Sequence, residues 1–310
     1  MRWVAGVSVL CSTLGIALGA CGARTQLGAP PSSDASIDVD ARADVFDAHD
    51  EDALPPLDGF VDAPIPFDCV EAGITYVYLI TAQNELYSFY PPSLAFTKIG
   101  DISCTNNGSQ PYSMAVSRQG VAYSVFTDGN LYRLSTANAS CQPTSYVPPT
   151  QQDDPFHTFG MGYAGDAFTE SLYVADARFG ANSLGLATID TTTFARSFIA
   201  NFQPELPRCE LTGTGDGRLF AFCLNLTGSG SQIAEIDRQT AKVVALDPLV
   251  LGDPNDAFAW AFWGGYFWIF TAPSGTSTVT RYDPNTHTES NMTTLGSTIV
   301  GAGVSTCAPQ

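Results

Sequence analysis

The residues able to do chemistry are few and scattered. His49, His157 and His287 are the chain's only histidines. None stands in an HExxH pair, so the spacing that aims two imidazoles at one zinc ion is missing. No G-x-S-x-G nucleophile turn occurs. Gly160-Met161-Gly162-Tyr163-Ala164-Gly165 matches GxGxxG, but a strand pattern follows it. Without a helix N-terminus a pyrophosphate has nothing to rest on, and the segment reads as an inner strand. Asp38, Asp40 and Asp44 resemble calcium spacing, yet no EF-hand glycine or closing glutamate follows. No CxxC is present. No metal and no cofactor is expected.

Paired carboxylates and aromatic platforms are the chemistry left to seek. A glycan hydrolase needs two carboxyl groups flanking one bond. Asp153, Asp154, Glu210, Asp253 and Asp256 are the acids available, and only Glu210 falls on a segment read as an inner strand. Trp260, Trp263 and Trp268 could stack a sugar, but alternation within strands assigns them to packing. The loops "CTNNGSQPY", "PTQQDDPFHT", "QPELPRC" and "LGDPNDAF" put Asn107, Gln110, Asp153, Asp154, His157, Glu205, Arg208, Asp253 and Asp256 on one expected rim. Its acid excess favours a cation or a polar, sugar-like ligand over an anion.

Those loops must be held by something, and the repeat says what. "NELYSFYPPSLAFTKIG" (84–100) is echoed at 129–145, 184–200, 231–247 and 277–293. The anchoring apolar positions Phe89, Leu134, Ile189, Ile236 and Tyr282 are 45, 55, 47 and 46 residues apart. Each block alternates apolar and polar residues, turns, and alternates again, which is the pattern of a hairpin. Asp190, Asp237 and Asp283 open three of the turns, where a carboxylate oxygen can accept backbone N–H groups. A second hairpin precedes each block, giving four strands in about 48 residues, the size of a propeller blade.

Block one lacks its first strand. The tail "IVGAGVS" (299–305) matches the missing piece, and placing it beside residues 74–82 closes a ring of five blades. The expectation is an all-β, five-bladed β-propeller, with six blades as the alternative. Its turn pattern loosely resembles YVTN-type and quinoprotein-like repeat propellers. The tryptophan-docking motifs of quinone-binding members are not evident.

Cys69, Cys104, Cys141, Cys209, Cys223 and Cys307 form an even set, as expected of an exported, oxidised protein. Six cysteines allow about 15 pairings. Cys209 and Cys223 flank one turn at near-equal distance, Cys69 and Cys307 bracket the closure, and Cys104 with Cys141 remains.

The N-terminus is an address. "MRWVAGVSVLCSTLGIALGAC" has one basic residue, an apolar run too short to span a membrane, and small residues before Cys21. Leu18-Gly19-Ala20-Cys21 resembles the lipobox of bacterial lipoproteins. The resemblance implies cleavage before Cys21, lipid attached at Cys21 and, with Gly22 following, sorting to the outer membrane. Residues 1–20 are then a signal peptide. Residues 21–66 are a lipidated cysteine and a disordered Asp/Ala/Pro linker, and residues 67–310 are the propeller.

Residues 22–66 carry ten acids against Arg24 and Arg42, so like charges keep them extended. The whole chain has 31 acidic and 13 basic residues, a net −18, with Lys98 and Lys242 its only lysines. Such a surface repels nucleic acid and anionic lipid. The functional expectation is a lipid-anchored, non-catalytic binding module for an envelope protein or glycan. A glycan-acting hydrolase is the alternative.

Overall fold

The computed structural model describes Leu54, Leu57, Cys69 and residues 76–104, 108–166, 168–178, 182–224, 230–251 and 257–310. Cys21, the signal segment, and Asn107, Asp253 and Asp256 lie outside the described residues. The described residues form five four-stranded antiparallel sheets. Blade one has β1 (Val77–Thr81), β2 (Glu85–Tyr90) and β3 (Ala95–Asp101). Blade two has β4 (Pro111–Val116), β5 (Val121–Phe126), β6 (Leu131–Ser135) and β7 (Cys141–Pro143). Blade three has β8 (Phe159–Gly165), β9 (Glu170–Asp176), β10 (Leu186–Ile189) and β11 (Arg196–Ala200). Blade four has β12 (Cys209–Gly213), β13 (Leu219–Leu224), β14 (Ser231–Ile236) and β15 (Val243–Leu249). Blade five has β16 (Phe258–Trp263), β17 (Tyr266–Thr271), β18 (Ser277–Asp283) and β19 (Thr288–Leu295).

The last strand, β20 (Ile299–Val304), pairs with β1 through Val77↔Val304 and Leu79↔Ala302, so the tail is the inner strand of blade one. The inner strands β20, β4, β8, β12 and β16 touch in that order and close on themselves. The fold is a five-bladed β-propeller, not the six-bladed alternative. Disulfides join Cys69–Cys307, Cys104–Cys141 and Cys209–Cys223. The first ties the segment before β1 to the end of β20. The second holds β7, a strand cut to three residues where Pro143 removes a backbone donor.

Strand alternation explains the core. Side chains one residue apart face opposite neighbours. In β1, Val77 and Leu79 pack toward blade five, while Tyr78 and Ile80 pack toward blade two. In β13, Phe220 and Phe222 face blade five, whereas Leu219, Ala221 and Cys223 face blade three. Each blade interface therefore has its own apolar cluster. Every such strand is apolar on both faces because both are covered. A buried Phe or Leu there is worth about 1.5–3 kcal/mol.

Turns carry the polar instructions. Asp190 Oδ1 accepts the N–H groups of Thr192 and Thr193 at 2.7 and 2.9 Å. Asp237 Oδ1 takes those of Gln239 and Thr240, both at 2.9 Å, and Asp283 takes that of Asn285. Backbone donors hold the carboxyls of Asp190 and Asp237 below the usual carboxylate range.

The GxGxxG segment is β8, an inner strand. A Cβ on Gly160 would stand 2.2 Å from the Cys209 carbonyl oxygen, so backbone proximity accounts for the glycine. The linker expected over 21–66 already touches the ring: Leu57 is buried among Phe220, Phe222 and Trp260. The two leucines of "LPPL" supply apolar anchors that the surrounding acidic composition hides.

Candidate functional site

At the end of the axis where loops lead into the inner strands, a cavity of about 180 Å³ is lined by Gln110, Tyr112, Arg208, Glu210, Phe258 and Val300, among others. Four inner strands contribute: β4, β12, β16 and β20. The strand register aims Glu210 inward, and its carboxyl is almost wholly enclosed. Ser113 Oγ donates to Glu210 Oε2 at 2.7 Å, and the same oxygen of Ser113 accepts the Met161 N–H at 3.2 Å. Trp260 Nε1 donates to the Glu210 carbonyl oxygen at 3.0 Å.

Burial pushes the Glu210 carboxyl up to about 8, against the opposing pull of Ser113 and of the Arg208 charge. At neutral pH it is a neutral acid, able to donate a hydrogen bond. The Arg208 guanidinium lies 5.0 Å over the Phe258 ring at the mouth. Tyr112 donates its hydroxyl to the Ala177 carbonyl at 3.2 Å, and burial raises its pKa.

The opposite end of the axis is closed by a polar cluster. Arg118 is 1% exposed. Its Nε donates to Thr306 Oγ1 at 3.3 Å and one terminal nitrogen to the Asp166 carbonyl at 2.6 Å. Glu170 accepts the Arg118 backbone N–H at 2.7 Å and the Thr306 hydroxyl at 2.9 Å. A charge this buried is stable only when paired and fully hydrogen-bonded, and here the partners come from the turn after β8, from β9 and from the tail. Beside it, between blades two and three, opens a cavity of about 800 Å³.

No protein family's sequence profile matches the chain. No curated protein matches it either. Among solved structures, the fold is similar to a chain of a nidogen/laminin complex: 15% identity, 77% of this chain, 83% of that one, TM-score 0.43. It is also similar to TolB from Acinetobacter baumannii, with 12% identity over 73% of this chain and 52% of that one, TM-score 0.42. The Dos1 propeller shares 12% identity over 76% and 70% of the two chains, TM-score 0.37. At such identities no binding role passes from them to this chain.

The structure divides the predicted rim. Gln110 and Arg208 meet at the axial mouth. Asp153 is exposed on the loop between blades two and three, and Asp154 is spent on that loop, accepting the Gln151 N–H. Glu205 accepts from Asn182 at 2.8 Å and lines a separate cleft with Arg178. His157 is in the interior, not on the rim. It is 7% exposed, its Nδ1 lies 3.2 Å from the Pro149 carbonyl oxygen, and its ring packs near Gly129. His157 is turned inward by its contacts with Pro149 and Gly129, which the loop sequence alone does not convey. Trp260 stacks on Phe267 at 4.9 Å, and Trp268 is 4% exposed with its Nε1 donating to the Trp263 carbonyl. Two of the three tryptophans thus fill space between blades.

Sequence reasoning missed the Arg118–Glu170–Thr306 cluster, whose members lie up to 188 positions apart. It also missed a knot joining blades four and five. There Tyr282 donates its hydroxyl to Asp247, and His287 Nδ1 lies 2.8 Å from the same carboxylate. No group of three or more metal-ligating side chains occurs among the described residues. None of the described helices is long and apolar enough to cross a membrane.

Proposed function

We propose that this propeller is a non-catalytic interaction module, held at a bacterial envelope by lipid on Cys21, which receives a projecting group of a partner protein at its axial mouth. The observation that carries this reading is the convergence of Gln110, Arg208 and the enclosed Glu210 on one pocket. A pocket of about 180 Å³ is smaller than the ~300–1,000 Å³ common for whole small-molecule ligands. It suits one anchoring side chain at the centre of a larger contact. The three disulfides fit an oxidising, non-cytoplasmic compartment. The test is capture of partners from envelope extract by the full-length protein. Gln110→Ala with Arg208→Ala is expected to lose the partner that the wild type retains. Equal recovery by both would remove the axial mouth from the reading.

A hydrolase remains the second reading because a protonated carboxyl in a pocket is the state a general acid needs. The second carboxylate is the weak point: among the described residues only Glu210 supplies one to the mouth. Release of reducing ends from glycans, abolished by Glu210→Gln, would favour this reading over the first.

A further inference from the structure

We infer a second site, unrelated to the axial mouth: the cleft between blades two and three at the opposite end binds an uncharged saccharide. Its volume of about 800 Å³ falls in the usual range for small-molecule sites. A smaller cavity of about 350 Å³ adjoins it and shares Val121 and Arg133, so an extended chain of sugars has room to continue.

The lining has the chemistry that sugars require. Arg133 is exposed on β6, and among the described residues its side chain makes no hydrogen bond or ion pair. An unengaged guanidinium offers five donors in a fixed fork. Asp190, from blade three, lines the same cleft, and its Oδ1 is engaged by its own turn. Those donors keep it ionised, and a carboxylate retains further acceptor sites. A donor and an acceptor lining one cleft suit the hydroxyls of a sugar. Tyr123 and Tyr163 also line it, with ring centroids 6.4 Å apart. Burial pushes the Tyr163 phenol well up, so it stays a neutral hydroxyl.

At the lip, Phe168 is 83% exposed. An apolar ring held in water beside a polar cleft is a stacking surface for the C–H face of a sugar. The net −18 of the chain disfavours an anionic ligand at range, and Arg133 and Asp190 balance each other locally. Both points select a neutral saccharide over an acidic one.

The test is calorimetric titration of the full-length protein with maltotriose, cellotriose and triacetylchitotriose, and with triglutamate as the peptide rival. At least one saccharide is expected to bind, and triglutamate to bind more weakly. Phe168→Ala and Arg133→Ala, both at exposed positions, are each expected to weaken saccharide binding about tenfold. Gln110→Ala with Arg208→Ala should leave it unchanged, which separates this site from the axial mouth. Failure of all three saccharides to bind at millimolar concentration would overturn the inference. So would binding that neither variant disturbs, or tighter binding of triglutamate.

Discussion

Glu210 is the residue at which sequence and structure meet most closely. It was legible as the one acid on a predicted inner strand. Its protonation was not, because the enclosure comes from Ser113, 97 positions away, and from Trp260 on another blade. Its folded pKa of about 8 stands above the ordinary 4.5. Between those values the unfolded chain has released a proton that the folded chain still holds. Stability from this group is therefore complete below about pH 4.5 and lost as pH rises toward about 8. Glu210→Gln keeps the size and an acceptor for Ser113 but does not titrate. The stability of the wild type minus that of the variant, from urea unfolding, is expected to fall across this window by up to about 1.4 kcal/mol per pH unit. A flat difference would mean that water reaches the carboxyl.

At the scale of the element, local patterns were readable and long-range contacts were not. Period-2 alternation and Asp-opened turns are written within a few residues, so the hairpins and their order follow from the sequence. The burial of Leu57 depends on Phe220 and Phe222, far along the chain, and the acidic setting of "LPPL" concealed it. Inner strands impose a second constraint, close backbone approach. Gly160→Ala would set a methyl 2.2 Å from the Cys209 carbonyl, where only backbone can yield. A loss of about 2 kcal/mol or more is expected from overpacking and strain, seen as a lower unfolding midpoint with the blade count preserved.

Closure is the other property of elements. β20 contributes the buried Ile299, Ala302 and Val304 to the interface with blade five. Deleting residues 297–310 should leave no cooperative transition. Cys307→Ser keeps the strand and removes only the link across 238 positions, for an expected loss of about 2–5 kcal/mol. If the deletion unfolds no more readily than Cys307→Ser, β20 contributes through its disulfide alone.

For the molecule as a whole, the scaffold and a disulfide-forming, non-cytoplasmic setting were legible while the ligand was not. Cysteine parity and the repeat are counted along the chain. A pocket is made by loops converging from different blades, as Gln110 and Arg208 do at the axial mouth. Anchoring and folding should then be separable. Each buried CH₂ of an attached acyl chain is worth about 0.8 kcal/mol, so two or three chains on Cys21 would hold the protein at a membrane. Ring closure draws on different groups: β20 paired on β1, and Cys69–Cys307. Cys21→Ser is therefore expected to shift the protein from the membrane to the soluble fraction while its unfolding midpoint stays at the wild-type value. Retention in the membrane fraction would sink the lipid anchor. A lowered midpoint would mean that the N-terminal segment supports the ring beyond the contact made by Leu57, and that anchor and scaffold are one cooperative unit.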